Sequence, residues 1–160
     1  MIRLPHAPRG LRWFPYFTSG LLLFTGGCSS FNRAWKTAET ERVESHSLAG
    51  RWEGTWRSTH NGHHDTLRGL FTLPTNAVCE ARFHARYSKW GMSLSFSYSV
   101  PLQLDGTNGS YRFQGQADLG WYAGGVYRYE GTVSGTNFFS TYESQYDKGE
   151  FHLQRAAPRP

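Results

Sequence analysis

The chain has 160 residues, 38% hydrophobic and 16% aromatic, and its 17 Lys+Arg against 12 Asp+Glu give a formal net charge of +5. The surplus sits at the front: without Arg3, Arg9 and Arg12, all within the first 27 residues, 14 basic residues face 12 acidic ones, a net +2. A domain so close to balance has no electrostatic warrant for a nucleic-acid partner.

In chain order, the first segment combines those arginines with an apolar stretch at 14–24, and no acidic residue precedes Glu39. The stretch is about eleven residues, broken by Pro15, Ser19 and Gly20, whereas a helical span needs roughly 20. Residues 1–27 therefore read as a signal peptide. The sequence Thr25-Gly26-Gly27-Cys28 resembles the lipobox of bacterial lipoproteins, with Thr25 where that family usually has Leu. The resemblance implies that the Cys28 thiol receives a diacylglycerol group and that the chain is cut before it. Ordinary signal cleavage and an uncut anchor are the alternatives. Ser29 after the cysteine implies delivery to the outer membrane, facing the periplasm of the bacterial cell envelope. With Cys28 acylated, Cys79 has no intrachain partner, and its place on an apolar strand face makes it a buried thiol.

Residues 28–48 hold the attachment site and a polar tether of mixed charge, in which 34–44 can form a short helix. From 49 onward the periodicity changes to two, the mark of strands with one buried face. Trp52, Gly54 and Trp56 share a face of the first strand, and Leu67, Gly69, Phe71 and Leu73 of the second. Ala77, Cys79, Ala81, Phe83, Ala85 and Tyr87 line the third, opposite Glu80, Arg82, His84 and Arg86. In the fourth, Met92, Leu94, Phe96, Tyr98 and Val100 alternate with serines. Tyr111, Phe113, Gly115, Ala117 and Leu119 mark a fifth, and Tyr127, Tyr129, Gly131 and Val133 a sixth. At 138–144 the adjacent Phe138 and Phe139 leave the phase ambiguous, and Phe151, Leu153 and Arg155 mark the last strand. Asn61-Gly62, Asn108-Gly109, Ser134-Gly135 and Asp147-Lys148-Gly149 supply hairpin turns; Pro74-Thr75-Asn76 and Ala123-Gly124-Gly125 serve the other connections. No helical crossover intervenes, so neighbouring strands are antiparallel. The expected fold is all-β, an eight-stranded antiparallel up-and-down β-barrel over 49–156 with a disordered tail at 157–160.

Gly50-Arg51-Trp52 resembles the G-x-W opening of lipocalin-like, calycin-type barrels, and Arg155 stands where those barrels often set an Arg across the Trp ring. The resemblance implies a structural plug in which the Trp52 indole fills one end and the Arg155 guanidinium stacks over it.

Chemistry is thinner. His60, His63, His64 and Asp65 flank the first turn and are weak candidates for a metal, which needs fixed geometry and supporting neighbours that a hairpin tip lacks. No nucleophile elbow, catalytic carboxylate pair or phosphate-cradling loop is readable, so no catalytic residue and no cofactor is assigned. The interior is more informative: Trp56, Phe83, Phe96, Tyr98, Tyr111, Phe113, Tyr127 and Tyr129 share inward faces with small Gly and Ala residues. A barrel of eight strands is near the size at which side chains fill the middle or leave room for one small ligand. The expected function is a lipid-anchored binding module for an apolar or amphipathic small molecule. The alternative is a structural or assembly lipoprotein with a filled barrel that contacts another envelope protein. A transmembrane barrel gives the same alternation but would crowd Arg82 and Arg86 into a narrow lumen. The Arg82, His84, Arg86 stripe reads as a solvated face or a contact for anionic headgroups, and the loop aromatics Trp90, Trp121 and Tyr122 as a partner-binding or membrane-dipping rim or as barrel lids.

Overall fold

The computed structural model describes residues 25–40, 47–89 and 91–157. Eight strands follow in chain order: β1 (Gly50–Ser58), β2 (His64–Phe71), β3 (Val78–Lys89), β4 (Met92–Thr107), β5 (Ser110–Asp118), β6 (Val126–Ser134), β7 (Asn137–Glu143) and β8 (Lys148–Arg155). Each pairs antiparallel with the next, and β8 pairs with β1, so the sheet closes into a barrel. Closure leaves no edge over most of the circumference, which is how an all-antiparallel sheet hides its apolar face.

The period-two reading fixes which side chains enter. Trp52, Leu67, Phe71, Cys79, Phe83, Val100, Leu102, Phe113, Tyr129, Val133 and Leu153 are buried in one cluster. Register resolves the ambiguous seventh strand: Phe138, Ser140 and Tyr142 point inward, opposite Val133, Gly131 and Tyr129, while Phe139 lies outside. Three residues assigned to strands fall beyond them. Leu73 follows the end of β2 and is exposed, Ala77 takes φ 61 in the turn before β3, and Leu119 follows β5. In each case the backbone turns before the alternation of residue types stops.

Small residues set the barrel's bore. A Cβ on Gly54 would stand 2.0 Å from the His152 carbonyl oxygen, and one on Gly131 2.1 Å from that of Phe139. Strands β1 and β8, and β6 and β7, come together there only because these positions lack side chains. The space inside goes to rings: Phe71 and Phe138 meet edge-on at 5.2 Å, Phe113 stacks on Phe138 at 4.8 Å, and Phe151 reaches Phe83 at 5.5 Å and Tyr142 at 5.0 Å.

Two features depart from a plain cylinder. The β3–β4 ladder runs out to Lys89↔Met92, but β2 leaves β3 at Leu67↔Ala85 and β5 leaves β4 at Gly115↔Leu102. The outer part of this hairpin is therefore an arm projecting past both neighbours. Pro101, with no N–H to give, stands where β5 departs.

The second is a helix, α1 (Thr25–Thr37), which starts nine residues before the helix expected at 34–44; residues 41–44 of that expectation lie outside the described ones. Phe31, Ala34, Trp35 and Ala38 recur at helical spacing, and this stripe lies on the outer wall of the barrel. Phe31 is fully buried, stacked on the His84 ring at 4.8 Å. The Arg82 guanidinium lies 5.7 Å from the Phe31 ring, while those of Arg51 and Arg68 lie 5.2 and 5.3 Å from Trp35. Arg82 Nη2 donates to Ser30 Oγ at 2.5 Å, and Arg51 pairs with Glu39 at 3.0 Å.

Candidate functional site

The two ends of the barrel are built differently. At the end carrying the start of β1, Trp52 Nε1 donates to the Leu48 carbonyl at 2.9 Å, and the Arg155 guanidinium lies 4.6 Å from the Trp52 ring centroid. Arg155 Nη1 donates to the Ala49 carbonyl at 2.8 Å and Nη2 to that of Ser47. The chain leading into β1 is thus drawn across the opening by Arg155, with the indole beneath. Arg51 does the same outside, where its Nη2 donates to the Ala157 carbonyl at 2.9 Å. Residue 157 of the expected tail is held in this way; 158–160 lie outside the described residues.

The opposite end gathers the β1–β2 turn, the β3–β4 arm, the β5–β6 loop with its 3-10 turn at Trp121–Ala123, and the β7–β8 turn. Here inward rings become progressively less covered. Phe83 and Tyr129 are buried, Tyr98 and Tyr127 half-buried, and Phe96 is 45% exposed. On the arm, Leu94 and Met92 on the same face are each 68% exposed, and in the β5–β6 loop Trp121 is 90% and Tyr122 68% exposed. The tyrosines form a stacked series, with Tyr98 and Tyr127 each 6.4 Å from Tyr129 and Tyr127 6.0 Å from Tyr142. Burial, with mutual repulsion, raises the Tyr98 phenol far above its ordinary range, and burial raises Tyr129 as well. Tyr142 is raised by burial and by Asp147, whose Oδ2 accepts its hydroxyl at 3.1 Å. These groups are neutral hydrogen-bonding phenols, suited to orienting a polar head beside an apolar body.

Of the other interior residues expected to line a site, Trp56 and Phe113 are buried in the packing, and half-buried Tyr111 sits toward the Trp52 end, opposite Gly106 and Val133. Trp56 gives its indole N–H to the Arg86 carbonyl at 2.8 Å. The structure therefore groups Phe96, Tyr98, Tyr127 and Tyr129 at one mouth and leaves Trp56, Phe83 and Phe113 in the core. Two concavities open on the outer wall, one lined in part by Glu53, Thr132, Phe139 and His152, the other by Asp105, Arg112, Glu130 and Thr141.

The histidines do not converge. His63 stacks on Tyr87 at 4.1 Å, His64 Nδ1 faces the Gly62 carbonyl at 3.3 Å, and His60 is exposed. Among the described residues no three His, Cys, Asp or Glu side chains stand together as metal ligands. Cys79 is free and buried; its Sγ donates to the Thr72 carbonyl at 3.3 Å, and burial pushes its pKa up to about 11.

The outward stripe of β3 is the largest difference from the sequence reading. Arg82 and His84 form the seat of α1 and are not a bare solvated face, while Arg86 Nε donates to Ser93 Oγ at 2.7 Å. Burial under the helix, with Arg68 and Arg82 close by, lowers the His84 pKa. Sequence reasoning missed this seat, although the i, i+3, i+4, i+7 spacing of Phe31, Ala34, Trp35 and Ala38 signals an apolar helix face. Cys28 falls in the first turn of α1, and Trp90 lies outside the described residues. Comparison of the chain with protein-family models, with curated proteins and with solved structures returns no match.

Proposed function

We propose that the protein is a lipid-anchored component of the bacterial cell envelope, held through Cys28 at the periplasmic face of the outer membrane, whose barrel binds an apolar or amphipathic small molecule at its open mouth. The observation carrying this reading is the gradient of exposure along one inward face, from buried Phe83 through half-buried Tyr98 to open Phe96 and Leu94. An acyl chain laid along that trough covers rings that otherwise face water, and the Tyr98 and Tyr127 phenols stand ready for its head group. The site is shallow, because Trp52, Phe71, Phe113 and Phe138 occupy the barrel below it.

Native mass spectrometry with palmitic acid and with a lysophospholipid tests the reading. The expected result is a one-to-one adduct, weakened at least tenfold by Phe96→Ser, with the Trp56 and Phe113 core unchanged. No adduct with either compound overturns it. A second reading, an assembly lipoprotein with a filled barrel that contacts another envelope protein, is favoured by that same packing. Site-specific crosslinks from Trp121 to a single envelope protein, with no lipid adduct, would select it.

A further inference from the structure

Among the described residues, Leu73, Val78, Phe139 and Tyr146 are large apolar side chains exposed singly on separate turns or strands, while six others gather on one arm and one loop. Met92, Leu94 and Phe96 on the arm beyond the last β4–β5 pair, and Trp121, Tyr122 and Val126 in and after the β5–β6 loop at the same end of the barrel, are all at least 45% exposed. Isolated exposed apolar residues need no explanation, but a corner that combines Met, Leu and Phe with an adjoining Trp–Tyr pair has the composition of a membrane–water interface. The outer wall elsewhere carries Glu53, Arg68, Arg82, Arg112, Arg128 and Glu130, so the barrel does not present a hydrocarbon-facing belt.

The N-terminal segment says which surface this corner meets. Helix α1 packs on β4 as well as β3, and Ser30 is tied to Arg82. Cys28 is two residues earlier on the same helix, about 3 Å along the axis at 1.5 Å per residue. The backbone at residue 28 therefore belongs to a helix that packs on the strand carrying the exposed arm, so an anchor at that residue holds the barrel close to the bilayer.

We propose that the corner formed by Met92, Leu94, Phe96, Trp121, Tyr122 and Val126 seats in the interfacial layer of the lipid bilayer, with α1 as the strap that fixes the barrel in that tilt. The inference rests on the lipid-anchor reading above and adds an orientation to it: the mouth opens toward the membrane, so its ligand is a molecule drawn from the bilayer. Side chains of this kind, inserted to headgroup depth, hold a surface without spanning it.

The test uses the full chain, purified from membranes with its native modification and reconstituted into vesicles of phosphatidylethanolamine and phosphatidylglycerol whose acyl chains are brominated near the glycerol. Bromine quenches tryptophan only at close range. The expected result is quenching of wild-type fluorescence, of which a distinct part disappears in Trp121→Phe and is halved or better in Met92→Ser/Leu94→Ser, while all three proteins float with the vesicles. Both serine substitutions lie at exposed positions, and an unchanged thermal midpoint confirms that the fold is kept. A wild-type protein that floats but shows no Trp121-dependent quenching overturns the seating and leaves the anchor reading intact. Failure of the Cys28→Ser variant to leave the membrane fraction counts against the anchor reading instead. A vesicle-free dimer, or a crosslinked envelope protein that shields Trp121 in place of lipid, also overturns the proposal.

Discussion

Replacing Phe31 by Ala separates the strap from the barrel. Phe31 is fully buried between His84, Trp35 and Arg82, yet everything it touches lies on the outside of a wall whose other face is already packed. Burial of a Phe side chain contributes about 1.5–3 kcal/mol. The Arg82 guanidinium over the ring adds about 0.5–1 kcal/mol. A loss of about 3 kcal/mol, at about 1.4 kcal/mol per tenfold, raises the undocked population of α1 roughly a hundredfold. Hydrogen exchange read by mass spectrometry checks it. Amides in 31–37 should exchange roughly a hundredfold faster in Phe31→Ala, while those of β3 and β6 keep their wild-type rates. Wild-type exchange in α1 would mean that the Trp35 contacts with Arg51 and Arg68 carry the docking alone. Equal acceleration in helix and strands would mean that α1 belongs to the barrel's own cooperative unit, and the strap argument would fail.

Gly54→Ala places a methyl group 2.0 Å from the His152 oxygen, so β1 and β8 must separate; a loss of about 3 kcal/mol is expected, with a thermal midpoint at least 10 °C lower, measured by circular dichroism. Arg155→Ala removes two charge-assisted bonds and the contact with Trp52, about 3 kcal/mol by urea midpoint, and Arg155→Lys recovers only part because an ammonium cannot fork to both carbonyls over the ring. Alkali should destabilise the fold in a defined direction. The Cys79 thiol is raised from 9.0 to about 11, and Tyr98, Tyr129 and Tyr142 are also raised, so the folded chain holds protons that the unfolded chain gives up. Stability is complete below pH 9 and falls as pH rises through about 11, with tyrosinate absorbance at these three positions appearing only on unfolding; early, gradual ionisation without unfolding would contradict the burial described here.

The strand count, the pairing order and most of the inward parity were legible because one chemical rule, alternation, recurs in every strand but the seventh. It failed where residue type outlasted geometry: Leu73, Ala77 and Leu119 continue an apolar pattern after the chain has turned. The phase of β7 was not legible, since Phe138 and Phe139 are equally apolar and only pairing with Val133 and Leu153 decides between them. At the mouth, Phe96, Tyr98, Tyr127 and Tyr129 could be placed on inward faces, but not in sequence of exposure, because that depends on where neighbouring strands stop. The seat of α1 was hidden for a different reason. Its apolar face has only two large residues, and the partners are arginines, which pattern rules count as polar although their planar guanidinium groups cover aromatic rings.

The tip of the β3–β4 arm, beyond the contacts of Trp56 with Arg86 and His63 with Tyr87 and unpaired with β5 past Leu102, has a mechanical consequence. A lone two-stranded ribbon is marginal in water, so this part of the wall behaves as a tongue hinged on a stiff cylinder. Amide protection along β4 should therefore grade from weak near Ser93 to strong at Leu102. The side chains nearest the tip can then adjust to an irregular surface while the tiers of rings beneath keep their places.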